Sequence, residues 1–331
     1  MLISSSNLNQ KSFVYPKDWG QGGRGCFAGG GHDGESAFTN KIHYITIATP
    51  GNATEFGTST TKGGCGGTSG RGRGLIIGGF TSNPDTITND IKYVTIATLG
   101  NATDFGDLTR VTSHPACVSN GTRALVCGGE STHYGYNLEL NVVYTDMTYL
   151  TIATPGNANG SFGNFDIGGR IERVGTQHYQ SVGATGNGIY GMIKCVNDKY
   201  YYMSIATPGN VYLFGILSGT DNAGSSAFSN GTRAIWNAGG NQIMEYFTWS
   251  TVSTAAAFGM DSEVNGNDST RQVGVMSNSR AVLGAGHSSS SKTHYFSMDG
   301  TPVSTLIGAV FGTLLMPYPS SRYGCASFSG D

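Results

Sequence analysis

The 331 residues include 52 glycines; only 12% are charged, the formal net charge is -2 and 38% are hydrophobic. Disorder is excluded, because disordered chains combine low hydrophobicity with high net charge, and no Lys or Arg run offers the cation cluster that a nucleic-acid backbone needs. No segment approaches the about 18 apolar residues of a membrane span, and residues 1–11 lack the charged start and apolar core of a signal peptide, so neither membrane insertion nor export is expected.

In chain order, residues 1–22 read as an N-terminal arm, with Phe13, Tyr15 and Trp19 as candidate docking side chains, and residues 23–331 as one domain. The stretch R-G-C-F-A-G-G (Arg24 to Gly30) is strand-like and closes on a glycine pair. Tyr44 then opens Y-I-T-I-A-T-P-G-N-A-T-E-F-G, and near copies open at Tyr93, Tyr149 and Tyr202, with eroded ones at Tyr246 and Tyr295. Six units of about 50 residues result, which is the spacing of propeller blades. Between the copies a second phrase recurs: S-N-G-T-R-A-L-V-C-G-G from Ser119, S-N-G-T-R-A-I-W-N-A-G-G from Ser229 and S-N-S-R-A-V-L-G-A-G from Ser277.

Each unit divides into four short strands. Strand a precedes S-N-G, b runs through R-A-L-V to the glycines, c is the Y-I-T-I-A-T segment, and d lies around the F-G pair. Alternation of Tyr44, Thr46 and Ala48 against Ile45, Ile47 and Thr49 carries strand c through Thr49. Residues Arg322 to Asp331 match strand a, with Cys325 aligned on Cys117, and stop where b would begin; b is found at Arg24 instead. The expected fold is therefore all-β, a six-bladed propeller of four-stranded antiparallel blades whose ring is closed by one blade shared between the N- and C-terminal segments.

The glycine pair followed by Tyr and a further aromatic, seen at Gly29-Gly30 with Tyr44 and Gly78-Gly79 with Tyr93, resembles the kelch repeat. Kelch repeats place Trp soon after the Tyr, where this chain has Phe56, Phe105, Phe162, Phe214, Phe258 and Phe311 further on. The phrase Y-V-T-I-A-T-x-G-N-A-T-D-F-G-D-L-T, with S-N-G-T-R and G-G, is similar to repeats in structural proteins of tailed, notably marine, bacteriophages, over nearly the whole chain from Arg24. That resemblance implies a virion component, assembled in the host cytoplasm and used on tail or capsid, with other virion proteins or further copies of itself as partners. An adhesin binding a host-surface glycan or receptor is the alternative, and a propeller enzyme ranks below both.

No catalytic set, metal site or cofactor is called for. His32, His133 and His287 follow glycine pairs in different units without matching partners, and S-M-D-G-T (Ser297 to Thr301) reads as a plain turn. The Asn of the N-x-S/T matches (Asn52, Asn101, Asn120, Asn230) reads as a turn residue. Arg24, Arg73, Arg123, Arg233 and Arg280 open strand b and are expected to bond carbonyls of a neighbouring blade. The six cysteines lack C-x-x-C spacing and read as buried thiols, with Cys65, Cys117 and Cys325 sharing the strand-a register of Ala227 and Val275. The two longest loops, Gly129 to Leu140 and Gly163 to His178, should share a face. Their His133, Tyr134, Tyr136, Arg170 and Arg173 are the candidate partner-binding residues.

Overall fold

The computed structural model describes residues 23–30, 38–82, 85–131, 144–164, 183–194, 199–216, 226–237, 243–260, 273–284, 292–300, 309–313 and 326–330. Six four-stranded antiparallel sheets stand around one axis as blades. Blade 1 holds β1 (Arg24–Ala28), β2 (Lys41–Thr46) and β3 (Thr54–Thr58). Blade 2 holds β4 (Gly66–Gly70) and β5 (Arg73–Ile77), then a hairpin of β6 (Phe80–Ser82) and β7 (Asp85–Ile87), then β8 (Asp90–Thr95) and β9 (Thr103–Asp107). Blade 3 comprises β10 (Ala116–Ser119), β11 (Arg123–Cys127), β12 (Asp146–Thr151) and β13 (Asn159–Asn164); blade 4 comprises β14 (Ala184–Gly186), β15 (Tyr190–Lys194), β16 (Lys199–Ser204) and β17 (Tyr212–Ile216). Blade 5 has β18 (Ala227–Ser229), β19 (Arg233–Asn237), β20 (Ile243–Thr248) and β21 (Ala256–Met260); blade 6 has β22 (Val273–Met276), β23 (Arg280–Gly284), β24 (Lys292–Ser297) and β25 (Ala309–Thr313).

The last strand, β26 (Ala326–Gly330), is the innermost strand of blade 1, in the order β26-β1-β2-β3, and pairs antiparallel with β1, Arg24 facing Gly330 and Ala28 facing Ala326. The shared blade expected from the repeat register is what closes the ring. Each inner strand also lies beside that of the next blade, β26 by β4 and so on round to β22 by β26, so no blade flank at the axis is left without a neighbour.

Two registers differ from the sequence reading. Strand c ends at the third residue of its phrase, at Thr46, Thr95 and Thr151, and the following I-A-T turns away. Ile47 N donates one last ladder bond to Gly23 O, at 3.0 Å, and Thr49 N closes the turn on Thr46 O. The isoleucine side chain is still fully buried, as are Ile96, Ile152 and Ile205, so the apolar period continues after the strand has ended. Strand a is also shifted: Ala326 faces Ala28 as Ala116 faces Cys127, which puts Ser327, not Cys325, level with Cys117. Cys117 shares its level with Ala227, opposite Val126 and Trp236 respectively, whereas Val275 stands one residue further along, opposite Val282.

The phrases recur because several of their residues link one blade to the next. At the start of strand b, the Arg24 guanidinium lies 5.0 Å from the Tyr44 ring of its own blade, and its Nη1 donates to Ile96 O and Ala97 O of blade 2, at 2.9 and 2.7 Å. Arg73 does the same over Tyr93 towards Ile152 O and Ala153 O, Arg280 over Tyr295 towards Ile47 O and Ala48 O, Arg123 over Tyr149 towards Ile205 O and Ala206 O, and Arg233 over Tyr246 towards Met298 O and Gly300 O. A charged donor on a carbonyl contributes about 1.5–3 kcal/mol and a cation over a ring about 0.5–2 kcal/mol. Ser297 to Gly300, the described part of S-M-D-G-T, is thus a strand end and turn, and it receives Arg233.

The Tyr ring meets the F-G phenylalanine edge-on, as for Tyr44 with Phe56 (6.1 Å) and Tyr295 with Phe311 (5.7 Å). The glycine beside that phenylalanine is required by the next blade. A Cβ on Gly57 would run into the carbonyl of Gly100, whose own N–H donates to Phe56 O at 3.0 Å. The G-N-A phrase completes the link, because Asn101 Oδ1 accepts from Thr58 N at 3.0 Å; Asn157, Asn210 and Asn52 accept likewise from Asp107, Asn164 and Thr313. Asn120 and Asn230 instead cap the turn between a and b, accepting from Arg123 N and Arg233 N. The glycine pair after strand b has positive φ, 61° at Gly78 and 95° at Gly79, where Gly79 N donates to Thr112 O on the approach to blade 3 and a Cβ on Gly78 would overlap that carbonyl.

Candidate functional site

The topology sorts connections onto two faces. The a–b and c–d turns lie on one, the turn face; the b–c loops and the d–a crossings lie on the other, the loop face. Both long segments singled out in the sequence leave the loop-face end of blade 3. The first departs after β11 and returns into β12; the second departs after β13, whose Asn164 pairs with Asp146 of β12. The nominated residues themselves, His133, Tyr134, Tyr136, Arg170 and Arg173, and the arm residues Phe13, Tyr15 and Trp19, lie outside the described residues.

The base of the first loop is tightly fixed. Ser113 and Glu130 exchange both backbone bonds at 3.0 Å, and Tyr144 N returns to Gly129 O at 2.8 Å. Beneath them the buried His114 Nδ1 stands 3.2 Å from Glu130 Oε1. Arg110 holds the other strand of the base, paired to both oxygens of Asp146 at 2.6 and 2.5 Å and stacked 3.7 Å from the Tyr144 ring. Burial pushes the Asp146 carboxyl up, but the hydrogen bonds and charge of Arg110 outweigh it and hold the group below its usual value. Burial raises the Tyr144 phenol, the Arg110 charge offsetting part of the effect.

Blade 2 adds the hairpin β6–β7, which the sequence reading missed. Its Phe80 is fully buried, 5.1 Å from the Phe38 ring and 5.6 Å from His114, and it bridges to Gly63. The signal was present in F-T-S-N-P-D-T-I-T, where β-branched residues flank an N-P-D turn. Below the hairpin the buried Lys62 ammonium bonds Thr88 Oγ1 (2.8 Å) and Asp90 Oδ1. Burial works to raise the Asp90 carboxyl; the Lys62 charge and hydrogen bond, aided by Thr88 and Lys92, bring it below its ordinary value. An ion pair so placed fixes loop geometry more than it stabilises the fold.

Of the thiols among the described residues, Cys26, Cys65 and Cys127 are buried and Cys117 is half-buried. Burial pushes Cys26 and Cys65 up to about 12, and Cys117 upward as well. They therefore stay protonated and unreactive near neutrality. Cys26, Cys65, Cys117 and Cys127 form no disulfide. No group of three or more His, Cys, Asp or Glu suited to hold a metal occurs among the described residues.

The fold and this face define a class: a six-bladed β-propeller whose repeat residues link the blades and whose loop face carries rigidly based loops at blades 2 and 3. Comparison with protein-family models finds no match, and comparison with curated proteins finds none either.

Proposed function

We propose that the chain is a kelch-like structural propeller of a tailed-bacteriophage virion, acting in assembly or at the particle surface rather than in catalysis. The observation that carries the reading is the repeat itself. The Y-V-T-I-A-T-x-G-N-A-T-D-F-G phrase, similar to those of phage structural proteins, recurs in four blades and in eroded form in the other two, and its residues join one blade to the next. A ring held by internal links frees its loop face for contacts, and the partners are other virion proteins or further copies of the chain. Purified particles should contain the protein at a fixed stoichiometry by mass spectrometry, with a six-bladed disc at a defined position in a cryo-EM map. Its absence from washed particles would overturn the assignment.

A second reading, an adhesin for a host-surface glycan or receptor, is favoured by one feature: two long segments leave the same end of blade 3, the first of them from a braced base. Glycan-array binding that disappears when residues 132–143 are shortened would move the proposal to this reading; a blank array on folded protein would remove it.

A further inference from the structure

Five of the six blade junctions are clasped by the arginine that opens strand b. At the junction of blades 4 and 5 that place is taken by Tyr190, which packs edge-on against Tyr202 at 5.6 Å. The asparagine staple is missing there too, Ser253 standing beside Gly215 where Gly100 stands beside Gly57. Around this junction the outer rim also changes character. Tyr212, Leu213 and Ile216 of β17 and Val252 of the adjoining turn are 55, 48, 44 and 50% exposed. They are four of the six large apolar residues exposed among the described residues. The equivalent outer strands of blades 1–3 put Glu55, Asp104 and Ser161 at the Leu213 position, and Thr58, Asp107 and Asn164 at the Ile216 position. Charged and polar side chains on an edge strand discourage pairing with another chain; β21 has Ala257 and Met260 at these positions and β25 has Val310 and Thr313, so β17 is the outer strand with branched apolar groups at both. Apart from the bond Ile216 O accepts from Ala255 N, its outer edge has no hydrogen-bond partner among the described residues.

We propose that β17 is the docking strand for the N-terminal arm of a second copy of this chain, which adds there as an extended edge segment. Three observations choose this occupant. The arm enters blade 1 at Gly23, where the other blades have their a–b turn. It therefore leaves from the turn face, the face on which Tyr212 and Val252 lie. Its sequence S-F-V-Y-P (Ser12 to Pro16) is uncharged like the patch; extended, it shows Phe13 and Tyr15 on one side and ends at a proline, which an edge strand tolerates.

The geometry selects a second copy rather than the arm's own ring. Blades 1 and 4 are opposite. Four strand spacings of about 4.8 Å, plus an inner ring no more than about 16 Å across because neighbouring inner strands lie within 8 Å of each other, separate Gly23 from β17 by roughly 30–35 Å. Fully extended chain from Gly23 back to Tyr15 reaches about 29 Å at about 3.6 Å per residue. Two rigid rings meeting patch to patch would share on the order of 400 Å² a side, half of the about 800 Å² a stable pair needs; a single extended segment suits an area of that size. Arm on one side and acceptor on the other make the contact head-to-tail, so copies join in rows, or in a ring where the rotation between them closes.

Sedimentation velocity of the full chain over a concentration series tests this in free protein, wherever the protein resides. Association beyond a dimer is expected, weakened at least tenfold by Leu213→Asp and by the double change Phe13→Ser with Tyr15→Ser. A mixture of the two variants restores one intact contact and should stop at dimers. A monomer at every concentration, or association unchanged in the arm variant, overturns the proposal. Should Leu213→Asp lose its thermal transition, the arm variant, altered outside the blades, decides alone.

Discussion

The junction of blades 3 and 4 and the junction of blades 4 and 5 join the same kind of sheet by different chemistry. At the first, Arg123 stacks on Tyr149 and bonds turn carbonyls of blade 4, and Asn210 caps Asn164. At the second, Tyr200 lies 4.6 Å from Trp236 and 4.9 Å from Phe247, with Phe214 and Trp249 around them. Directional polar links tie the one; an aromatic cluster fills the other. What blade packing demands is therefore a filled wedge between two sheets, and the repeat phrase is one solution among at least two.

Four experiments would break or sharpen this contrast. Deleting residues 326–330 removes the strand common to both ends of the ring and should outweigh any junction change, costing more than about 5 kcal/mol of a total on the order of 5–15. Urea unfolding measures it, and an unshifted midpoint would mean closure contributes little. Trp236→Ala should cost about 3–5 kcal/mol. Arg73→Ala, which unfastens blades 2 and 3, should cost about 2–3 kcal/mol. If the arginine change proves the costlier, the aromatic wedge is the weaker joint and the contrast is reversed. Tyr190→Arg supplies the missing clasp above Tyr202 and should raise stability by about 1 kcal/mol; a lower melting temperature would show that the cluster leaves no room for it.

Acid separates the ring from the loop face, with the smallest effect near neutrality. Asp90 and Asp146 titrate below their usual 3.8 in the fold, so the stability they contribute is complete above that pH and is lost as pH falls through their lower folded values. The Arg–carbonyl links contain no carboxylate. Hydrogen exchange at pH 2–3 should therefore rise first at Gly78, Gly128 and their neighbours, before the inner strands.

The architecture was legible because the sequence repeats its own instructions. Six Tyr phrases count the blades, the glycine pairs end strand b, and R-G-C-F-A-G-G without a strand a before it, set against a strand a without its b, foretold the shared blade. Arg24 and its counterparts could be assigned to neighbouring carbonyls because a cation at one register in most blades needs an acceptor at a constant place. The end of strand c was missed because Ile47 keeps the apolar period while its backbone turns, and burial alone drives that period. The glycine of F-G could be seen but not explained, since its cause, Gly100 of the next blade, is a tertiary neighbour. Of the site, only the common origin of the two loops was readable; the links at its base, Arg110 to Asp146 and His114 to Glu130, join residues that no motif relates.

The pairing of Arg24 with Gly330 also orders events in time. At about 5–20 residues per second, a ribosome makes β1 to β3 long before β26, so three strands of blade 1 wait while five complete blades assemble from nearby segments. Through that interval the bare side of β1 is a template for any passing strand, including the β26 of another polypeptide. Growth conditions that slow translation should then favour exchanged rings, two polypeptides each closing the other.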